Sequence, residues 1–139
     1  MSFESALIRM PHDGAMLLIE TIEAADPNAI RCLMRDHDRP DFPLRVQGRL
    51  HTVALVEMGA QAAAAHASIF GIGEDHVGLL LSLSRVEIAV AEIDLPPPLA
   101  AEAERLADMP GGAAYRFTVS GGGTVLLTGE ATLSMQAKS

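Results

Sequence analysis

Glu57 is the only Asp, Glu, Lys or Arg between Arg49 and Glu74, and its neighbours are apolar and rich in alanine. A carboxylate in such surroundings suits general acid or base work. The bland alternative is a solvated Glu near a helix start, where the dipole favours it. Composition leaves the two readings even. Gln61 follows at i+4, on the same helical face. Its amide can orient the carboxylate, or it can satisfy a nearby backbone group. His66 comes nine residues after Glu57. At about 100° per residue it falls on the opposite side of a helix, so it reads as a core or interface histidine. His51 stands just before the alanine-rich run. There a helix offers unpaired N–H groups and its positive end, a natural place for a carbonyl or oxyanion. His51 is therefore either a group that meets substrate or an ordinary loop histidine. His37, between Asp36 and Asp38, is a weaker candidate for the same work. His12 reads as a turn residue and His76 as a solvated loop residue.

Charge adds one more signal. Residues 31–49 hold Arg31, Arg35, Arg39, Arg45 and Arg49 against three aspartates, in a chain of net charge −8. Such a segment can meet a phosphate or an acidic partner, or it can be a solvated loop. Arg45 and Arg49 lie nearest the run that carries Glu57, so they are the expected contacts for a phosphate or an acidic partner protein.

Other chemistries are disfavoured. Ser82 and Ser84 lack a Gly-x-Ser-x-Gly setting, and Gly121 to Gly123 lack the Lys and Ser or Thr of a phosphate loop. No histidine pair at i, i+4 has a third ligand nearby, so no metal is expected. Cys32 is the single cysteine, which excludes an intrachain disulfide and a cysteine zinc cluster. The acidic balance and the scarcity of aromatics argue against nucleic acid. No apolar run reaches the roughly 18 residues of a membrane span. No basic region followed by an apolar run and cleavage site opens the sequence, so a cytoplasmic address is expected.

The elements that must position these residues follow from pattern. Residues 52–70 carry neither Pro nor a basic residue and are dominated by Ala, which predicts a helix of about five turns with Thr52 as cap. It is apolar nearly all round and should be buried on most sides. Gly71 and Gly73 end it. A short helix is expected around Ala6 to Ile8, stopped by Pro11. Residues 16–22 and 29–34 read as two strands about the Asp26-Pro27-Asn28 turn. Residues 36–49 read as irregular. Strands are expected over 78–90, 113–120 and 124–135, and over 99–106, where Ala and Glu content suits a helix but the Ala-Glu-Ala-Glu alternation favours a strand; Pro96-Pro97-Pro98, Pro110-Gly111-Gly112 and the three glycines separate them. The order gives an α+β domain over residues 1–139, one long central helix wrapped by a curved antiparallel sheet. Such a sheet covers one side of its helix, so a dimer is expected.

Two stretches resemble a known family. Pro11-His12-Asp13-Gly14-Ala15-Met16-Leu17-Leu18-Ile19 is similar to the Pro-His-Arg-x-Pro-(Phe/Met)-Leu-Leu signature of the 3-hydroxyacyl-(acyl carrier protein) dehydratases. Val56-Glu57-Met58-Gly59-Ala60-Gln61-Ala62 resembles their Glu-x-x-Ala-Gln helix motif, at a similar spacing. The later Gly78-Leu79-Leu80 and its strands also fit. The resemblance covers most of the chain and is nearest the divergent, ApeP-like branch associated with aryl-polyene pigment clusters. It implies the hot-dog fold and dehydration of 3-hydroxyacyl chains on an acyl carrier protein. It implies no cofactor, a carrier or CoA thioester as partner, and a homodimer or a heterodimer with another hot-dog chain. The family's acid/base pair is a histidine and the helix carboxylate. The carboxylate carries over to Glu57. The histidine of the family's Gly-His-Phe-Pro does not, because Pro43 stands fourteen residues before Glu57. His51 is then the candidate base, with Gln61, Arg45 and Arg49 as substrate-binding candidates. An acyl thioesterase with the same carboxylate activating water, and an impaired subunit supporting an active partner, remain as alternatives.

Overall fold

The computed structural model describes residues 17–47, 49–50, 53–70, 76–90 and 93–137. The elements run β1 (Ile19–Asp26), β2 (Ala29–Met34), β3 (Arg45–Val46), β4 (Arg49–Leu50), α1 (Val53–Phe70), β5 (His76–Ile88), β6 (Ala100–Met109), β7 (Gly112–Gly121) and β8 (Thr124–Ala137). Six strands form one antiparallel sheet in the order β1-β2-β6-β7-β8-β5, and β3 and β4 make a separate small hairpin.

Alternation in the sequence sets the faces of the sheet. In β7, Ala113, Tyr115, Phe117 and Val119 are buried and point to the helix, with less buried residues between them. Ile30, Cys32 and Met34 do the same in β2. The Ala-Glu-Ala-Glu run of β6 is an alternating strand, Ala101 and Ala103 inward and Glu102 and Glu104 outward. The helix is buried on nearly every side, as its alanines require: all residues from Met58 to Ile69 are buried. Small side chains let the sheet come close. A Cβ built on Gly59 would lie 2.3 Å from the Phe117 ring, and one on Gly129 of β8 would lie 2.7 Å from it. The phenyl ring thus sits between two glycines, one from each layer.

The sheet has two edges. At one, β1 meets β2 with two register shifts, between Ile19 and Thr21 and between Ile22 and Ala24. Such bulges bend a strand. Both ends of β1 are tied to the helix: Leu18 N–H donates to Gln61 Oε1 at 2.8 Å, and His66 Nε2 meets the Asp26 carbonyl at 2.8 Å. At the other edge β5 is 13 residues long, with Leu80, Leu83, Val86 and Ile88 exposed.

Several boundaries differ from the sequence reading. The first strand runs Ile19–Asp26 rather than 16–22, because pairing with β2 carries it on to the turn. The stretch 36–49, read as irregular, contains the β3–β4 hairpin. β6 reaches Met109, past the expected 106, because β7 pairs with it up to the turn at Pro110 and Gly111. The short helix around Ala6, the Thr52 cap and the glycines after the main helix lie outside the described residues. Among the described residues, no helix is long and apolar enough to cross a membrane.

Candidate active site

Glu57 sits in the second turn of α1, and the helix holds it beside Gln61. Gln61 Nε2 donates to Glu57 Oε1 at 3.1 Å, while Gln61 Oε1 accepts from Leu18 N–H at 2.8 Å. The backbone donor decides which end of the amide faces which neighbour. Only the NH₂ end can then point at the carboxylate. Glu57 is half-buried and Gln61 fully buried. A carboxylate oriented by a buried amide in this way suits passing a proton to or from a bound molecule.

The remaining candidates are not brought together equally. His51 lies outside the described residues, two positions before Val53. His37 is buried at 1% exposure, and its Nε2 is 2.7 Å from the Leu95 carbonyl oxygen. Its ring is engaged by the scaffold. The five arginines are spread over several contacts. Arg31 pairs with Glu23 and Glu102 on the outer face of the sheet, Arg35 lies 3.9 Å from Glu20, and Arg39 lies 3.2 Å from Asp41. Arg45 donates to the His37 carbonyl and sits 3.6 Å from Asp38. Arg49 is exposed. A cleft of about 550 Å³ opens between β1 and the loop after β2, lined by Glu20, Arg35, Asp36, Arg39, Asp41, Phe42 and Pro43. Its mixed charge comes from the arginine and aspartate segment that the sequence singles out, and Glu20 joins it across the β1–β2 hairpin.

His66 behaves as a core histidine. Its Nε2 carries the proton toward the Asp26 carbonyl, so its Nδ1 accepts from Tyr115 Oη–H at 2.7 Å. Tyr115 Oη in turn accepts from Arg105 at 3.2 Å. Burial lowers the His66 pKa, partly opposed by the bond to Asp26, with nearby Arg105 lowering it further. Burial raises the Tyr115 pKa. Cys32 is buried and its thiol is pushed up to about 12, which makes it an inert core residue. The described residues contain no group of three or more His, Cys, Asp or Glu placed to hold a metal ion.

A single central helix wrapped by this antiparallel sheet is the hot-dog fold. The chain belongs to the ApeP-like family, whose model, described as ApeP dehydratase, matches residues 6–138. The dehydratase heterocomplex ApeI:P from Xenorhabdus doucetiae superposes with a TM-score of 0.80 at 23% identity, covering 99% of this chain and 93% of that one. A thioesterase family protein from Silicibacter pomeroyi gives a TM-score of 0.72 at 17% identity, covering 98% and 99%. A hypothetical thioesterase with coenzyme A from Streptococcus pneumoniae gives 0.67 at 14% identity, covering 85% and 86%. No curated protein matches the sequence.

Proposed function

We propose that this chain dehydrates a 3-hydroxyacyl group carried as a thioester on an acyl carrier protein, working as half of a two-chain hot-dog assembly. The observation that carries the reading is the Leu18–Gln61–Glu57 relay, which holds the one helix carboxylate in a fixed orientation. A base removes a proton from C2 of the acyl chain. The C2–C3 double bond forms as the C3–O bond breaks, and Glu57 protonates the leaving hydroxyl to give water and an enoyl thioester. Backbone N–H groups near the start of α1 stabilise the charge on the thioester oxygen. His51 is the base in this scheme, on the strength of its place in the sequence.

The test is enoyl formation from a 3-hydroxyacyl carrier substrate. Glu57→Gln keeps the shape and the hydrogen bond to Gln61 but removes the acid, and turnover should fall by about 10²–10⁴. Unchanged turnover in a folded Glu57→Gln protein would sink the assignment. His51→Ala is expected to lose activity on the same scale.

A thioesterase reading is favoured by Asp41-Phe42-Pro43, which keeps only the Phe-Pro of the Gly-His-Phe-Pro motif of the dehydratases the sequence resembles. A carboxylate without an imidazole partner can still activate water. Free thiol release from acyl-CoA, with no enoyl absorbance from a hydroxyacyl substrate, would select it.

The second chain is expected at β5. Among the described residues no strand pairs with the outer side of this edge strand, which exposes four large apolar residues, a combination that monomers avoid. The partner is this chain or another hot-dog chain. Activity only after a second hot-dog chain co-purifies would identify this one as the supporting subunit.

A further inference from the structure

The loop after β2 is fastened from the inside. Asp36 and Asp38 are exposed, yet His37 between them is buried. Its Nε2–H donates to the carbonyl of Leu95, in the segment that joins β5 to β6. Leu95 packs on the end of β7, since a Cβ on Gly121 would lie 3.2 Å from its Cδ1. The imidazole therefore ties the loop to the body of the sheet, beside the buried Phe42 ring. The carbonyl of the same His37 accepts two N–H groups from Arg45, one of them at 2.8 Å. Asp38 Oδ1 lies 3.6 Å from Arg45 Nη2 and 3.8 Å from His37 Nε2. Residues 37 and 45 thus close a ring of chain around buried Phe42. Arg45 is also the first residue of the β3–β4 hairpin, whose last residue, Leu50, stands three positions before α1 begins.

We infer that His37 and Arg45 form a positioning pair that fixes the hairpin leading into the Glu57 helix, and with it the approach of the substrate's pantetheine arm. The inference rests on the acyl-thioester reading above. Arg45 then acts from within the loop rather than by meeting the carrier itself. A pair of this kind holds a binding surface in place and leaves the proton transfers to other groups. Its loss should appear in KM more than in kcat.

His37→Leu keeps apolar volume and removes the donor to Leu95. His37→Gln restores an N–H at similar reach. In the full chain, with whichever hot-dog partner co-purifies, His37→Leu is expected to raise KM for a carrier-bound 3-hydroxyacyl substrate about tenfold, the size of one buried hydrogen bond, with kcat within about twofold. It should also hasten trypsin cleavage after Arg45 to a similar degree. His37→Gln should return both toward wild type. Arg45→Ala, which removes that trypsin site, should raise KM as His37→Leu does, and the double variant should be no worse in KM than either, because the bond to Leu95 and the bond to the His37 carbonyl hold the same loop in series. A normal KM and normal trypsin resistance in His37→Leu would overturn the pair. So would a drop in kcat and thermal midpoint with KM unchanged, or a Gln variant as poor as Leu. If the wild type makes no enoyl product, the functional reading fails and the trypsin comparison alone decides whether the loop is fastened.

Discussion

Glu57 and Gln61 show how far one carboxylate can be read from spacing. The i, i+4 relation predicts their contact, and the structure adds what spacing cannot give: a third group, Leu18 N–H, that fixes the amide. Gln61→Ala removes an acceptor from a buried backbone N–H, which costs about 1–3 kcal/mol. The variant should unfold at lower urea and lose turnover about tenfold, with a fold retained by circular dichroism. Gly59→Ala is the opposite case. In an ordinary helix interior Ala gains about 1 kcal/mol over Gly. Here the new methyl meets the Phe117 ring at 2.3 Å, and overpacking a buried site costs about 1–3 kcal/mol. The rigid ring decides the sign, so Gly59→Ala should destabilise in a urea titration, and adding Phe117→Leu should recover part of the loss. Where His37 goes was not legible, because its partner Leu95 is 58 residues away and has no polar side chain to betray the bond.

The elements were legible where periodicity was strong. The alanine run gave α1, alternation gave β5, β6 and β7, and turn signals set off β2 and β8. The β3–β4 hairpin was missed because two-residue strands carry no period. Its tight geometry shows instead in the positive φ angles of Leu44 and Gln47, at 72° and 53°, on residues that give no sequence hint. The far end of α1 depends on a polar chain that no local pattern announces. Arg105 from β6, Tyr115 from β7, His66 from α1 and the Asp26 carbonyl from β1 form one directed series, with Asp108 of β6 3.4 Å from Arg105. The series works only with neutral His66, since its Nδ1 must accept. The folded pKa of His66 lies below its usual value. Its contribution is therefore complete above the unfolded pKa of about 6.5 and is lost as pH falls from there through the folded value, where the unfolded chain binds the extra proton. Urea midpoints should decline from about pH 7 to about pH 5, and His66→Gln should show a shallower decline over the same range. Parallel profiles for the two proteins would show that other groups set the slope.

At the scale of the whole molecule, the sequence already pointed to one helix too apolar for a single sheet to cover. It did not say where a second chain would sit. That depends on strand order, since β5 and β8 are neighbours only once the sheet has formed. Leu83 and Ile88 are 39% and 52% exposed on an edge that no other strand pairs among the described residues. Replacing both with Lys should shift the assembly to single chains in size-exclusion chromatography with light scattering, without unfolding the monomer.

The opposite edge has a different fate. A sheet open at both margins can add copies without end, as fibres do. β1 is bent by two bulges, carries Glu20 outward, and has the amide just before it and the carbonyl at its far end occupied by the helix. The chain therefore offers a growing sheet one live margin and one dead end. Assembly through the proposed β5 contact should therefore stop after two chains, so that raising the concentration fills pairs rather than lengthening a polymer.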